Sequence, residues 1–514
     1  MTQLLVVTSP RQMLLLAAAI DHGALPPAPR GRVVVLADTV PVPETGPELS
    51  ASAALGPLAR RTNRIVSWTA TIAPLRPATF VPRRDEQPVW ERLLREHWQL
   101  GDGPVTLVLA DPAQGPGRAL TRVLPHARLT LVADRLERWA PPRTPLRDGL
   151  PARIDALVAP ALLPGLLPHA YDEHGTRTVL VPARRLVNVV AEAARDIADG
   201  AHEVSSNVSV PDRPAHSTGA AGAGEDMALL IVDAPEDLGH DGGDREPTSA
   251  AGSSASAGSG GPGSLGALAE GLAELAVTEI RAAGLRRVTL VVHPRATPTQ
   301  VRRTVQALRA ASLDVTMSGA DVPAEVVVVR DAPRLVVGTA STALVTALVL
   351  GAHDVRAVGT AEVLDALTPY HHPARTALTV TDRLLATGPE PSTTDVVRLL
   401  EAVTYVMHPD RVPHLRPAAV AVLTSMQGTD AEGRPPWRRW IRRRRVERLR
   451  LVAAPDGAVT DVPPPTPGPA PIPVPEPMPV PTAPARAAAA PRRGRGLRTA
   501  LRLMRAGDAP RQEP

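Results

Sequence analysis

Three hydroxyl side chains follow a short apolar run in the second half of this chain. The run covers residues 335–337, and Gly338, Thr339, Ser341 and Thr342 come directly after it. If the run is a strand of a parallel sheet, its carboxyl end is where such folds bind ligands. The helix expected from Ser341 would offer the N–H groups of its first turn to an anion. The pattern therefore indicates a phosphate site, with plain helix capping by Ser341 or Thr342 as the alternative.

A histidine occupies a similar position after another predicted strand. His293 and Pro294 close the strand predicted over residues 286–294, and Arg295 adds a permanent positive charge. An imidazole at this edge of the sheet could stabilise or protonate a departing phosphate oxygen. The alternative is a loop histidine without a chemical role.

An aspartate follows a third predicted strand, in the first half of the chain. Asp134 comes after the apolar residues 129–133. A carboxylate at this edge could accept a proton from an attacking hydroxyl group. The alternative is structural, because Asp134 could cap the next turn or pair with Arg135 or Arg138.

The segments that must position these residues alternate between short apolar strands and helices. Uniformly apolar strands are typical of a parallel sheet covered on both faces, so we predict an α/β protein. In the first half the predicted strands cover residues 3–7, 32–37, 106–110 and 129–133, and the predicted helices cover 13–20 and 117–124. In the second half the predicted strands cover residues 286–294, 324–330, 334–340 and 354–359, and the predicted helices cover 264–283 (capped by Ser264), 299–311, 341–350 and 394–405.

The composition divides the chain into four predicted regions. Residues 1–195 and 264–425 would each form a Rossmann-type domain, with a cleft between them and a closing helix at the end of the second. Residues 196–263 are rich in Ser, Gly, Ala and Pro and predict a low-complexity linker with one strand at 227–234. Residues 426–514, rich in proline and arginine, predict a disordered tail.

The three polar places, in this order, resemble the motifs of the bacterial sialyltransferases with two Rossmann domains. They are more closely similar to the polysialyltransferase-like glycosyltransferases of actinobacteria. The resemblance covers roughly residues 1–195 and 264–385, and it predicts a GT-B-like fold in which two parallel-sheet domains face a cleft. The similar residues are Ala133-Asp134-Arg135, His293-Pro294 and Ser341-Thr342, supported by the stretches 3–21, 336–359 and 367–380.

The resemblance implies transfer of a sialic-acid-like sugar from a CMP-linked donor, with inversion, to a glycan hydroxyl in envelope or capsule synthesis. It implies that Asp134, in the acceptor-side domain, is the catalytic base and that His293 supports or protonates the leaving phosphate. Members of the family need no metal or cofactor for this chemistry, and the sequence shows no DxD-type cluster. The residues that would bind the nucleotide phosphate, in the donor-binding domain, are Gly338, Thr339, Ser341, Thr342 and Arg295.

The chain departs from the family's pattern mainly on the acceptor side, while on the donor side Val291 and Val292 precede His293 where a basic residue is common. Arg135 stands where the family has a glycine, and Ala133 stands where it has an acidic residue. Trp139-Ala140-Pro141 replaces an aromatic-Gly-Pro sequence. These departures keep two alternatives open. One is a non-catalytic relative or scaffold of the same fold, and the other is a cell-wall polymer transferase that uses another nucleotide-linked donor.

Charge and hydropathy bear on location and partners. The 514 residues carry a net charge of +5, contain no cysteine and use arginine for all 57 basic positions. Without a signal segment or a long apolar run, we expect a cytoplasmic protein. Residues 437–450 and 492–505 mix arginine with apolar residues and could contact an anionic membrane on its inner face, with a solvated charge run as the alternative. A nucleic-acid partner is not expected, because no such motif is present.

Overall fold

The computed structural model describes residues 1–40, 48–147, 149–200, 226–233, 262–386, 392–426, 428 and 435–451, and for 262–269 the backbone only. The chain divides into two units, Met1–Asp456 and Gly457–Pro514. The second unit lies entirely outside the described residues. Most of the predicted linker and the predicted tail from residue 452 onward, including 492–505, also lie outside them.

Two parallel sheets form the framework of the described chain. The strands are β1 (Thr2–Val7), β2 (Arg32–Leu36), β3 (Arg64–Ser67), β4 (Val105–Leu109), β5 (Arg128–Val132), β6 (Ile154–Pro160), β7 (Arg177–Val181), β8 (Met227–Val232), β9 (Arg287–Val292), β10 (Asp314–Met317), β11 (Leu335–Gly338) and β12 (Val355–Ala357). The first sheet has the order β3-β2-β1-β4-β5-β6-β7, and the second has the order β10-β9-β8-β11-β12. The predicted α/β fold with two Rossmann-type parallel sheets is therefore confirmed.

Helices cover both faces of the first sheet, which explains its uniformly apolar strands. Along β1, Leu5 and Val7 belong to one buried cluster, whereas Leu4 and Val6 belong to another. Successive side chains of a strand point to opposite faces, so both faces of β1 must be apolar.

The helices begin and end at the residues that sequence reasoning uses as signals. The first helix starts after Ser9, whose hydroxyl accepts the Gln12 N–H, and stops at Gly23, which has a φ of 74°. The helices of the described residues are α1 (Pro10–His22), α2 (Leu55–Ala59), α3 (Trp68–Ile72), α4 (Gln87–His97), α5 (Gly115–Val123), α6 (Ala183–Ala198), α7 (Pro262–Ala282), α8 (Pro298–Ala310), α9 (Ala324–Asp331), α10 (Thr342–Val349), α11 (Thr360–Ala366), α12 (Ala374–Thr381), α13 (Thr393–Met407), α14 (Arg416–Ser425) and α15 (Arg443–Arg448).

The two sheets are joined by a shared apolar core. Helix α9 packs against α6 and against α10. A single buried cluster contains Leu5 and Val34 of the first sheet together with Leu229 and Val336 of the second. This packing sets the carboxyl end of β5 against the start of α10.

Two predictions about elements are wrong. Residues 324–330 were expected to form a strand, but they lie in α9, and its residues from Ala324 to Val328 are all buried. A helix buried on all sides shows no polar period, so its valines cannot be told from a buried strand by sequence. Ser264 is not a helix cap, because α7 already begins at Pro262.

The prediction of a disordered tail is wrong for residues 435–451. Trp437, Trp440 and Ile441 are buried in a cluster with residues of α13 and α14. The buried Asp382 carboxylate accepts hydrogen bonds from Trp440 Nε1 at 2.7 Å and from Arg439 Nε at 2.6 Å. Because these apolar side chains face the core, they cannot make the predicted contact with a lipid surface. Among the described helices, none is long and apolar enough to cross a membrane.

Candidate active site

The second sheet brings the predicted donor-side residues to one edge. Strand β8 lies between β9 and β11, and Val232 pairs with Val292. The N–H of His293 donates to Val232 O at 2.9 Å, so His293 leaves β9 beside Asp233. Ser341 follows β11 on the other side of β8. The carboxyl edge thus brings His293 close to the loop of residues 339–342, the hydroxyl loop, as parallel topology predicts.

The hydroxyl loop is mostly buried and caps a helix. Ser341 Oγ accepts the Ala343 N–H at 3.2 Å and is the N-cap of α10, which confirms the capping alternative. Thr339 and Thr342 are buried, whereas Ser341 is half-buried. Ser341 is therefore the best placed of the three hydroxyls to reach a ligand, and phosphate binding by this loop stays a prediction.

Gly338 is needed for packing at the end of β11. A Cβ atom at this position would lie 3.3 Å from Ile231 O and from both Cδ atoms of Leu344. The close approach of β8 and α10 thus already accounts for a glycine here. Its predicted role as a place of close ligand approach stays a prediction.

An aspartate that the sequence reasoning overlooked lies between the two donor-side places. Asp233 Oδ2 accepts the Ala340 N–H at 2.8 Å, and Asp233 O accepts from Gln300 Nε2 at 2.8 Å. A carboxylate thus holds one of the loop N–H groups that a phosphate would use. The sequence does contain a sign of this role, because Asp233 directly follows the apolar residues of β8, as His293 follows those of β9.

Two further polar atoms at this edge have no hydrogen-bond partner within the described part of the chain. They are Gln300 Oε1, at the start of α8, and Ser318 Oγ, just after β10. Both atoms are buried, and buried polar atoms are rarely left without a partner. They therefore point to a ligand or water at this edge. Sequence reasoning missed both, although each directly follows a strand or opens a helix.

His293 is half-buried and Arg295 is exposed. The backbone N–H of Arg295 donates to His293 Nδ1 at 3.2 Å. In a neutral imidazole with an accepting Nδ1, the hydrogen is on Nε2, which is then a donor. This tautomer suits the predicted role of His293 toward a phosphate oxygen.

At the edge of the first sheet, Asp134 is enclosed by cations. The carboxylate is buried and forms an ion pair with Arg138, while Ser9 Oγ donates to it at 3.2 Å. Arg11 Nε donates to the backbone carbonyl of Asp134 at 2.6 Å. Burial alone would raise the pKa of Asp134, but the guanidinium groups of Arg138, Arg135 and Arg11 outweigh it and lower the pKa. The predicted alternative, pairing with Arg138, is confirmed, and the role of Asp134 as a base stays a prediction.

Arg11 extends this network to the second sheet. Its guanidinium forms an ion pair with Glu325 of α9, and Nη2 donates to Thr346 Oγ1 of α10 at 2.6 Å. Burial lowers the pKa of Arg11 to about 10, against the attraction of Asp134 and Glu137, so the group stays charged at neutral pH. One arginine thereby links the Asp134 edge to two helices of the second half.

The two edges meet directly at Thr342. Its Oγ1 accepts the Leu136 N–H at 3.0 Å and donates to Glu137 Oε2 at 3.4 Å. Burial raises the pKa of Glu137, against the attraction of Arg135 and Arg11. Glu137 is thus a better proton acceptor than Asp134, and it lies beside the predicted donor loop. The sequence reasoning missed Glu137, although it lies on the same turn as Asp134.

Metal-ligating side chains are not grouped at this edge among the described residues. A group that could hold a metal ion, His169, Asp172 and His414, lies elsewhere in the fold.

Comparison with protein families finds one match on the donor side. The model described as alpha-2,8-polysialyltransferase (POLYST) matches residues 278–353. This segment contains His293, Arg295 and the loop from Gly338 to Thr342. The predicted resemblance to a polysialyltransferase-like family is thus confirmed through this segment, and the match supports a glycosyltransferase. Whether the chain is of the actinobacterial type stays a prediction.

Comparison with curated proteins gives no match. Among solved structures, a glycosyltransferase from Rickettsia africae ESF-5 is 9% identical over 82% of this chain and 93% of its own, with a TM-score of 0.34. A UDP-N-acetylglucosamine 2-epimerase from Rickettsia bellii is 10% identical over 69% of this chain and 77% of its own, with a TM-score of 0.34. An S. aureus MnaA–UDP complex is 10% identical over 80% of this chain and 90% of its own, with a TM-score of 0.35. Because these TM-scores are low, the fold is assigned from the strand order of this chain and not from these structures.

Proposed function

We propose that this protein transfers a sialic-acid-like sugar from a CMP-linked donor to a hydroxyl group of a glycan. The acceptor oxygen forms a bond to the anomeric carbon, the bond from that carbon to the phosphate oxygen breaks, and CMP leaves. The acceptor proton passes to a carboxylate of the first half. The glycan would belong to an envelope or capsule polysaccharide, and the enzyme would act in the cytoplasm.

The observation that carries the proposal is the composition of the second sheet's carboxyl edge. It lies in and beside the segment that matches the polysialyltransferase family. It offers the Ser341 hydroxyl at the start of α10 and an imidazole with an accepting Nδ1. The unpartnered atoms Gln300 Oε1 and Ser318 Oγ add hydrogen-bonding capacity that the described residues do not use. A nucleotide would supply both the anion and the polar partners.

The proton acceptor is Asp134 if the family resemblance holds residue by residue. The electrostatic surroundings favour Glu137, because burial raises its pKa while the neighbouring arginines lower the pKa of Asp134. A general base works best when its pKa is close to the working pH. Glu137 is also hydrogen-bonded to Thr342, the first residue of α10.

Calorimetric titration of the full-length protein with CMP, alongside UMP and ADP, tests the donor site. We expect selective CMP binding. Ser341→Ala should weaken the affinity about tenfold, since a hydrogen bond to a charged group contributes about 1.5 kcal/mol. His293→Ala should weaken it as well. A protein shortened before residue 435 would lose Trp437 and Trp440, which belong to the core.

Ser392→Ala is the matched control for Ser341→Ala. Ser392 caps α13 by accepting the Asp395 N–H, just as Ser341 caps α10. Both variants lose a helix cap, so both should lose about 1 kcal/mol of stability. Only Ser341→Ala should lose CMP affinity. Equal CMP affinity in the two variants would exclude Ser341 from the site, and selective binding of UMP or ADP would favour a different nucleotide-linked donor.

A non-catalytic relative of the same fold is the second candidate. It is favoured by the ion pair of Asp134 with Arg138 and by the Asp233 carboxylate on the Ala340 N–H. Such a protein would keep its fold but bind none of the three nucleotides.

A further inference from the structure

We propose that His169, Asp172 and His414 form a binding site for a divalent transition-metal ion of the Zn²⁺ type. His169 Nδ1 lies 2.9 Å from Asp172 Oδ2, and His414 Nε2 lies 3.4 Å from the same oxygen. The three ligand atoms all lie within 4.8 Å of one another. The site fastens the loop between β6 and β7 to the turn before α14, which are far apart in sequence.

These separations fit a tetrahedral ion. Zn²⁺ binds imidazole nitrogen and carboxylate oxygen at about 2.0–2.1 Å, which puts tetrahedral ligands about 3.3 Å apart. The separations of 2.9 and 3.4 Å from Asp172 Oδ2 to the two imidazole nitrogens lie on either side of this value. Two imidazoles and one carboxylate favour zinc over Mg²⁺ or Ca²⁺, which prefer oxygen ligands. Since the chain has no cysteine, this donor set does not compete with a thiolate site.

The local backbone holds the ligands in place before any ion binds. The N–H of His169 donates to Trp139 O at 2.7 Å, and the side chain is mostly buried. Tyr171 has a φ of 69°, which is rare for a non-glycine residue and turns the chain so that Asp172 faces His169. His414 lies in a turn anchored by the buried Leu415.

The charges around the site are compatible with a cation. Arg411 lies nearby, but its guanidinium faces Glu173 at 3.5 Å and the carbonyl of Pro142. The rival explanation is an ordinary His–Asp hydrogen bond with His414 as a weak surface ion pair, which contributes little. A metal ion would instead bridge the loop between β6 and β7 and the turn before α14. Its fourth coordination position would be open to water. This structural role is independent of the proposed glycosyl transfer.

Calorimetric titration of the chelator-treated full-length protein with ZnCl₂, and separately with MgCl₂, tests the site. We expect one Zn²⁺ per chain, no Mg²⁺ binding, and an absorption spectrum typical of tetrahedral cobalt when Co²⁺ replaces zinc. Loss of one ligand in His414→Ala or Asp172→Asn should weaken Zn²⁺ binding by about tenfold or more. Zn²⁺ should raise the Tm of the wild-type protein but not that of His414→Ala.

His97→Ala is the matched control, because His97 is exposed on α4 and outside the group. Its Zn²⁺ affinity should equal that of the wild type. His414 is more than half exposed, so its substitution leaves the core intact. The proposal is overturned if the wild-type protein does not bind Zn²⁺, if Mg²⁺ binds equally well, or if His414→Ala binds Zn²⁺ as tightly as His97→Ala.

Discussion

The carboxyl edges of the two sheets occupy the same topological position, but their polar side chains differ in burial and in pairing. At the first edge, the Asp134 carboxylate is buried and paired with Arg138. At the second edge, His293 and Ser341 are half-buried, and two polar atoms there have no partner among the described residues. The carboxylate at the first edge is thus neutralised by an ion pair, while Gln300 Oε1 and Ser318 Oγ at the second edge could each accept a further hydrogen bond.

The difference follows from the residue types after each strand. Asp134 is followed by arginines at 135 and 138, which reach back to its carboxylate. Ser341 is followed by the apolar helix α10, whose first turn has no charged side chain. The Asp134 carboxylate is therefore neutralised by its own neighbours in the chain. The loop before α10 has no such charge of its own, and its Ala340 N–H is held by Asp233 at the end of another strand.

The largest expected effect concerns the first edge. Asp134→Ala should lower the free energy of unfolding by about 3 kcal/mol, because it removes the buried partner of cations that are themselves only partly exposed. Urea denaturation measures this. Asp155→Ala is the control, since its pair with Arg128 is largely exposed and should contribute less than about 1 kcal/mol. If both variants lose the same stability, the Asp134 pair is not a structural feature and the comparison fails.

Much of this framework could be predicted from sequence, because buried parallel strands are uniformly apolar. The strands β1, β2, β4, β5, β8, β9, β11 and β12 all overlap predicted ones. Strands β3 and β10, at the sheet edges, were missed because they are short and partly exposed. Strands β6 and β7 were also missed. Helix α9 was mistaken for a strand because all-round burial removes the helical period.

The site could be predicted only in part. Topology alone brings strand ends together, so His293 and Ser341 share an edge as expected. The choice of partners by side chains could not be predicted. The bonds from Arg11 to Glu325 and from Leu136 to Thr342 join residues hundreds of positions apart. They depend on how the two sheets pack, which local patterns do not encode.

A smaller effect is expected at the second edge, where Asp233 holds the Ala340 N–H. Asp233→Asn keeps an oxygen acceptor but removes a negative charge that would repel a bound phosphate. CMP affinity should rise about tenfold, the equivalent of about 1.4 kcal/mol. Asp314→Asn is the control, because Asp314 is exposed at the start of β10, at the opposite edge of the sheet. Unchanged affinity in Asp233→Asn would mean that no phosphate approaches this carboxylate.

The smallest expected effect concerns Glu137, where the two edges meet. The pKa of Glu137 is raised in the folded protein above its ordinary value of 4.5, so its ionisation opposes folding at neutral pH. Glu137→Gln should therefore be more stable than the wild type at pH 7. The advantage should shrink as the pH falls through the raised pKa and vanish below about 4.5, where both states are protonated.

Asp134→Asn should show the opposite sign. The pKa of Asp134 is lowered below 3.8, so its charge stabilises the folded state above that pH, and this stability is lost as the pH falls through the lowered pKa. The variant should be less stable than the wild type at pH 7, with a difference that shrinks in acid. Urea denaturation of both variants between pH 3 and 7 measures the two trends. Equal trends would mean that the two carboxylates, three residues apart, share one environment, and the assignment of Glu137 as the better proton acceptor would be wrong.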